Sequence, residues 1–119
     1  MEGKVMKLVT AVFKPSRLDA VIDALSETGV AGLTVSEVRG YGRQQGKTEV
    51  YRGAEYEVRL LPKVKVEIAC SAGDVDRIVE TVAKAANTGT IGDGKIFVTG
   101  LDSVLRIRTG ERDEQAISS

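Results

Sequence analysis

Histidine and tryptophan are absent from the 119 residues, and there are only one cysteine, two prolines and two phenylalanines. The lack of histidine excludes Ser-His-Asp triads, Cys-His pairs, histidine zinc sites and imidazole general bases together. The lone Cys70 has no partner for an internal disulfide. It falls at the end of an apolar strand pattern, where a small buried hydrophobe is the simple reading and a thiol nucleophile would lack its imidazole. Neither sign of charge prevails: 17 basic side chains balance 17 acidic ones, so no overall field draws the chain to nucleic acid or to an anionic membrane. No apolar run approaches the roughly 20 residues of a membrane span, and no signal peptide is visible. The expectation is a soluble, cytoplasmic protein without a membrane span and without direct nucleic-acid binding.

What is present is periodicity. The length suits one domain with one core. Residues 1–5 read as an extension. Residues 6–14 read as a strand stopped by Pro15. Ser16 followed by Asp19 has the form of a helix N-cap with its reciprocal acid. Leu18, Val21, Ile22 and Leu25 then form one helical face, and Gly29 is the stop. Residues 33–38 alternate as a second strand, and residues 58–69 as a third. In the third, Val64, Val66 and Ile68 oppose Lys63, Lys65 and Glu67. Ser71 and Asp74 repeat the capping pattern, and Val75, Ile78, Val79 and Val82 repeat the helical stripe. Residues 96–98 form a fourth strand, residues 101–107 a further extended piece, and residues 109–119 a polar tail with mobile parts. The order β-α-β, loop, β-α-β predicts an α+β, ferredoxin-like fold with helices on one face of a four-stranded antiparallel sheet. The other face has no helical cover, and an oligomer is the economical way to bury it.

Between the second and third strands, residues 40–56 show neither a helical nor a two-residue period, yet hold all three tyrosines and four of the thirteen glycines. An insertion of this kind in a small domain points to a long, mobile, functional loop.

A second unusual stretch runs from Thr88 to Lys95. Gly89 to Lys95 nearly satisfies G-x-x-x-x-G-K-[ST], but Ile96 replaces the hydroxyl residue, and the stretch leads from helix to strand rather than strand to helix. That excludes a Walker A loop. Two readings stay open: an ordinary turn with Gly89 as helix stop, or a glycine nest whose N–H groups and Lys95 hold an anion. Arg106 and Arg108, on one face of an extended segment, favour the nest, because paired guanidiniums repel unless an anion lies between them. Lys63 and Glu67 share a strand face and suit a carboxylate and a ribose or base, or simply water. Three tyrosines in one loop exceed what loop packing requires. Tyr56 is open to a modifying enzyme or a partner's pocket.

Several of these segments resemble the nitrogen regulatory protein P-II family. The two signature motifs correspond to Tyr51-Arg52-Gly53-Ala54-Glu55-Tyr56 and to Thr88-x-x-x-Gly92-Asp93-Gly94-Lys95-Ile96-Phe97-Val98. Gly40-Tyr41-Gly42-Arg43-Gln44, Pro62-Lys63-Val64-Lys65, Lys84-Ala85-Ala86-Asn87-Thr88-Gly89 and Arg106-Ile107-Arg108-Thr109-Gly110-Glu111 agree as well. The resemblance runs in order from Met6 to Glu111.

It implies a homotrimeric regulator, not an enzyme, with ATP and ADP competing for clefts between subunits. The loop at about 40–57 would be the family's T-loop and the segment at about 87–95 its B-loop, within a single domain that ends in the tail at about 109–119. The implied nucleotide-binding residues are Thr34, Gly42, Arg43, Gln44, Glu67, Thr88, Gly92, Asp93, Gly94 and Lys95, joined by Arg106 and Arg108 from a neighbouring subunit. With Mg2+ and ATP in place, 2-oxoglutarate would dock on the metal near Gln44, Gln45, Gly46 and Lys63, and Gln44 would lie at the Mg2+. Tyr56 matches the tyrosine that uridylyltransferases or adenylyltransferases modify in many members. The implied partners are an ammonium transporter, with peripheral recruitment to the membrane, glutamine synthetase adenylyltransferase, a sensor kinase or acetylglutamate kinase.

The sequence departs from the common pattern at Thr90 (usually lysine), Gln45 and Lys47 (commonly Lys and His), Arg59 (commonly an acid) and Ala54 (serine in cyanobacterial relatives). Two other functions compete with this one, the first on the same element order and the second on an arginine nest. A ferredoxin-like RNA-binding module would stack bases on central-strand aromatics, and the third strand has none. A weak ATPase or a phosphatase would need acid–base groups that are not evident here.

Overall fold

A computed structural model describes residues 6–41, 48–51, 54–57 and 60–117. The elements follow as β1 (Met6–Phe13), α1 (Leu18–Ser26), β2 (Thr34–Gly40), β3 (Thr48–Tyr51), β4 (Ala54–Glu57), β5 (Leu61–Ser71), α2 (Val75–Ala86), β6 (Gly94–Leu101) and α3 (Glu114–Ile117). Four strands form an antiparallel sheet in the order β2-β5-β1-β6, the ferredoxin-like arrangement expected. β1 pairs with β5 from Met6↔Ser71 to Phe13↔Val64, and with β6 from Met6↔Leu101 to Phe13↔Gly94.

The two-residue alternation decides which side is core. Val9, Ala11 and Phe13 of β1, and Val64, Val66, Ile68 and Cys70 of β5, are buried beneath the helices. Val21 and Leu25 of α1 and Ile78 and Val82 of α2 meet them, each contributing roughly 1.5–3 kcal/mol by leaving water. Leu18, Val75 and Val79 pack at the margin, so both helical stripes face the sheet as predicted. Cys70 is a core residue, and burial pushes its thiol pKa up, with the carboxylates of Asp74 and Glu114 adding to the rise. On the opposite face, in register, lie Thr10 and Val12 of β1, Lys63, Lys65 and Glu67 of β5, and Lys95 and Phe97 of β6. No helix among the described residues covers them. Among the described residues, no helix is long and apolar enough to cross a membrane.

Four expectations are corrected. Ser16 does not cap α1: Pro15–Arg17 form a 3-10 turn that leads into Leu18, and neither Lys14 nor Arg17 makes a side-chain cap bond. Pro15, with no N–H to satisfy and φ already near the helical value, starts the turn in place of a hydroxyl cap. Ser71 does not cap α2 either, since its hydroxyl donates to the Glu114 carboxylate instead. The long insertion is not irregular throughout. Thr48–Tyr51 and Ala54–Glu57 pair antiparallel, from Thr48↔Glu57 to Tyr51↔Ala54, in short segments where valine, tyrosine and threonine supply strand preference. Residues 101–107 do not continue as an extended piece. β6 ends at Leu101, and a lone bridge joins Leu105 to Arg112. The tail carries the helical turn α3.

Candidate functional site

α2 ends at Ala86 and β6 begins at Gly94, so the glycine-rich loop lies where the sheet's register brings the last residues of β1 beside it. Gly94 has φ 115°, and a Cβ there would stand 1.9 Å from the carbonyl oxygen of Val12. Only glycine lets the loop enter the sheet at that point.

The loop is folded around one carboxylate. Asp93 accepts from the backbone N–H groups of Thr88 (2.8 Å) and Gly89 (2.9 Å) and from the Thr88 hydroxyl. These bonds, with Lys14 nearby, hold its pKa far below the usual carboxylate range. Lys14, the residue after β1, reaches over the loop. Its Nζ lies 2.5 Å from Thr90 Oγ1, 3.2 Å from Thr88 Oγ1 and 3.3 Å from Asp93 Oδ1. Arg17 braces the other side, donating from Nε and one terminal nitrogen to the Ala85 carbonyl at 2.9 and 2.7 Å, in the last turn of α2.

Beside the loop opens a cleft of about 740 Å3, lined by Lys63, Gly92, Asp93, Gly94 and Lys95 together with Gly40, Tyr41, Thr90, Ile91 and Phe97. That volume falls in the ordinary range for small-molecule sites. Lys63 is 9% exposed, and its Nζ donates to the Gly92 carbonyl at 2.6 Å. Burial lowers its pKa, the neighbouring Lys14 lowers it further, and Asp93 partly offsets both. Gly40 leaves room for that lysine: a Cβ there would lie 3.2 Å from Lys63 Cγ. The cleft joins two ammonium groups and a glycine turn, an arrangement suited to an oxygen-rich anion.

Five residues named from the sequence, Lys63, Gly92, Asp93, Gly94 and Lys95, therefore share one cleft, and Thr88 is bonded to one of them. Thr34 and Glu67 are cross-strand partners on the uncovered face, four residues along β5 from Lys63, or about 13 Å. Arg106 and Arg108 are elsewhere, and the expected extended pair does not form. Gly110, with φ 75°, turns the chain, so that the Gly110 N–H donates to the Arg106 carbonyl. The Arg106 guanidinium is held by the Glu111 carboxylate at 2.8 Å and by the carbonyls of Gln115 and Ala116. Arg108 is exposed. Glu114, on the same segment, bonds Ser71, which pairs with Met6 at the end of β1 away from the loop. Gly42, Arg43, Gln44, Gln45 and Gly46 lie outside the described residues, and Tyr56 is placed in β4. Lys14 and Arg17 were not anticipated. The signal available was register: once Phe13 pairs with Gly94, residue 14 must stand next to residue 93.

Residues 6–111 match the family described as Nitrogen regulatory protein P-II. The chain is 58% identical to the Rhizobium etli protein named Nitrogen regulatory protein P-II over 112 residues, which is 94% of this chain and all of that one. It is 57% identical to the Nitrogen regulatory protein GlnK of Escherichia coli K12, with the same coverage of both chains. The fold is similar to a crystal structure of Arabidopsis thaliana PII bound to citrate, with a TM-score of 0.79, 37% identity, and coverage of 96% of this chain and 91% of that one.

Proposed function

The chain belongs to the nitrogen regulatory protein P-II family, and from that premise we propose that it senses adenine nucleotide and 2-oxoglutarate at clefts between the subunits of a homotrimer. The observation that carries this reading is the cleft in which Lys63 and Lys95 flank the Gly92–Gly94 turn. The fit to a polyphosphate rests on the chemistry of these donors. Gly94 brings the backbone closer to β1 than any side chain would permit, and two ammonium groups offset anionic oxygens in charge-assisted bonds of roughly 1.5–3 kcal/mol each. Because Asp93 already takes the N–H groups of Thr88 and Gly89, the phosphate-holding part of the loop is its later half, Gly92 to Lys95, with Asp93 as the brace.

Thr34 and Glu67 extend the same face toward a nucleoside, which is consistent with a ligand longer than the cleft. Arg106 and Arg108 lie at the other end of the subunit, so their part in the site is as donors from an adjacent copy, and the uncovered sheet face supplies the surface for that copy. Gly42, Arg43 and Gln44 complete the nucleotide set. Mg2+ with ATP would supply the second anchor for 2-oxoglutarate at Gln44, Gln45, Gly46 and Lys63. The Arabidopsis protein's citrate is likewise a polycarboxylate. Residues 40–57 then present the state of the cleft to a target, with Tyr56 as the site of nucleotidylylation. The candidate targets are an ammonium transporter, glutamine synthetase adenylyltransferase, a sensor kinase and acetylglutamate kinase.

Calorimetry tests the reading directly. Mg-ATP and ADP should bind competitively, 2-oxoglutarate should bind only with Mg-ATP present, and Lys95→Ala should weaken ATP about tenfold. Keto-acid binding that is indifferent to ATP would falsify the mechanism.

A further inference from the structure

We propose that Lys14 is a positioning residue for the anion cleft: it engages the Asp93 carboxylate so that the Lys63 ammonium remains on the Gly92 carbonyl and directed to an entering anion. The proposal rests on the reading of the cleft as an anion site given above. Three groups with formal charge meet at this corner, two ammoniums and one carboxylate. Asp93's ion pair is with Lys14, at 3.3 Å, while Lys63 is bonded to a neutral carbonyl at 2.6 Å. The division follows from where each lysine is rooted. Lys14 leaves the end of β1 immediately before Pro15, one residue beyond the Phe13↔Gly94 pair, and its two hydroxyl contacts hold it over the loop. Lys63 rises from β5 beneath Gly40 and is almost fully buried.

The charge arithmetic gives Lys14 a second effect. A lysine that is buried and close to another cation resists protonation, and both causes act on Lys63. Without the Lys14 charge, Asp93 keeps its N–H and hydroxyl bonds but has lost its ion-pair partner, and it is the carboxylate that already acts on Lys63. The ammonium would turn toward that carboxylate. The turn would break the Gly92 bond, and an anion in the cleft would lose the cation meant for it. Arginine keeps the charge and the reach, whereas methionine keeps the stem and loses the charge.

The test uses the full-length protein, side-chain 15N NMR of lysine, and calorimetry with Mg-ATP. In Lys14→Met the Lys63 resonance should titrate at higher pH than in the unmodified protein, and Mg-ATP affinity should fall about tenfold. Lys14→Arg should restore most of both. A Lys63 titration unchanged in Lys14→Met, with only a lower urea midpoint, would make Lys14 merely structural and overturn the proposal. A shifted titration with unchanged affinity for Mg-ATP would overturn it as well. If the unmodified protein fails to bind Mg-ATP, the functional reading falls, and the Lys63 titration on the free protein still decides what Lys14 does.

Discussion

At the scale of single residues, Asp93 is the clearest case of a side chain whose work is internal. Its carboxylate is satisfied by two backbone N–H groups, a hydroxyl and a lysine. Its folded pKa lies below its ordinary value of 3.8. The stabilisation is therefore present in full above that value and is lost as pH falls through and below it toward the folded pKa. We expect Asp93→Asn to lower the urea midpoint at pH 7 and to flatten the further loss of stability between about pH 4 and pH 2. Parallel loss in both proteins over that acid range would refute this role for Asp93. From the sequence, Gly92, Gly94 and Lys95 are legible as a turn or an anion nest, Asp93 joins them through the family resemblance, and Lys63 stands apart on a strand face with Glu67. The direction of the Asp93 carboxylate was not legible, because that depends on which residue of β1 arrives beside the loop. The extended arginine pair expected from strand alternation does not form for a related reason: β6 ends at Leu101, and the left-handed backbone of Gly110 turns the segment and gives Arg106 to Glu111.

At the scale of elements, the apolar stripes of α1 and α2 and the alternation of β1 and β5 were readable, since one buried face imposes its period on the chain. Capping was not. Ser16 and Ser71 both have the spacing of an N-cap, yet both helices start from 3-10 turns without a side-chain cap bond. A hydroxyl competes for such a role only if nothing else starts the turn, and in α1 Pro15 does. The contrast gives a paired prediction. Ser16→Ala should change stability by less than about 0.5 kcal/mol, against about 1 kcal/mol for a true cap. Arg17→Met, which removes two charged bonds to the Ala85 carbonyl, should cost about 1–2 kcal/mol. Thermal or urea unfolding of both variants checks the order; a larger loss in Ser16→Ala would restore the cap. The pairing of β3 and β4 shows the limit of period counting, since strands of four residues are too short to display one.

At the scale of the whole molecule, one face of the sheet is clothed by helices and the other carries Phe97, half exposed, among threonine, valine and lysine. The described residues of one subunit do not bury that face. Light scattering should return about 38 kDa, three times the 12.7 kDa chain, in keeping with a closed ring of copies. A mass near that of one chain would remove the intersubunit cleft from the mechanism. The strand order has a different consequence. In β2-β5-β1-β6 every pair of neighbours joins one strand from the first β-α-β unit to one from the second. Neither unit contains a single sheet contact of its own, although each looks complete in sequence. The first strand to leave the ribosome waits about fifty residues for one neighbour and about eighty for the other, so the backbone bonds of the sheet depend on distant closure. The two similar halves are thus not folding units, and the sheet assembles all at once or not at all.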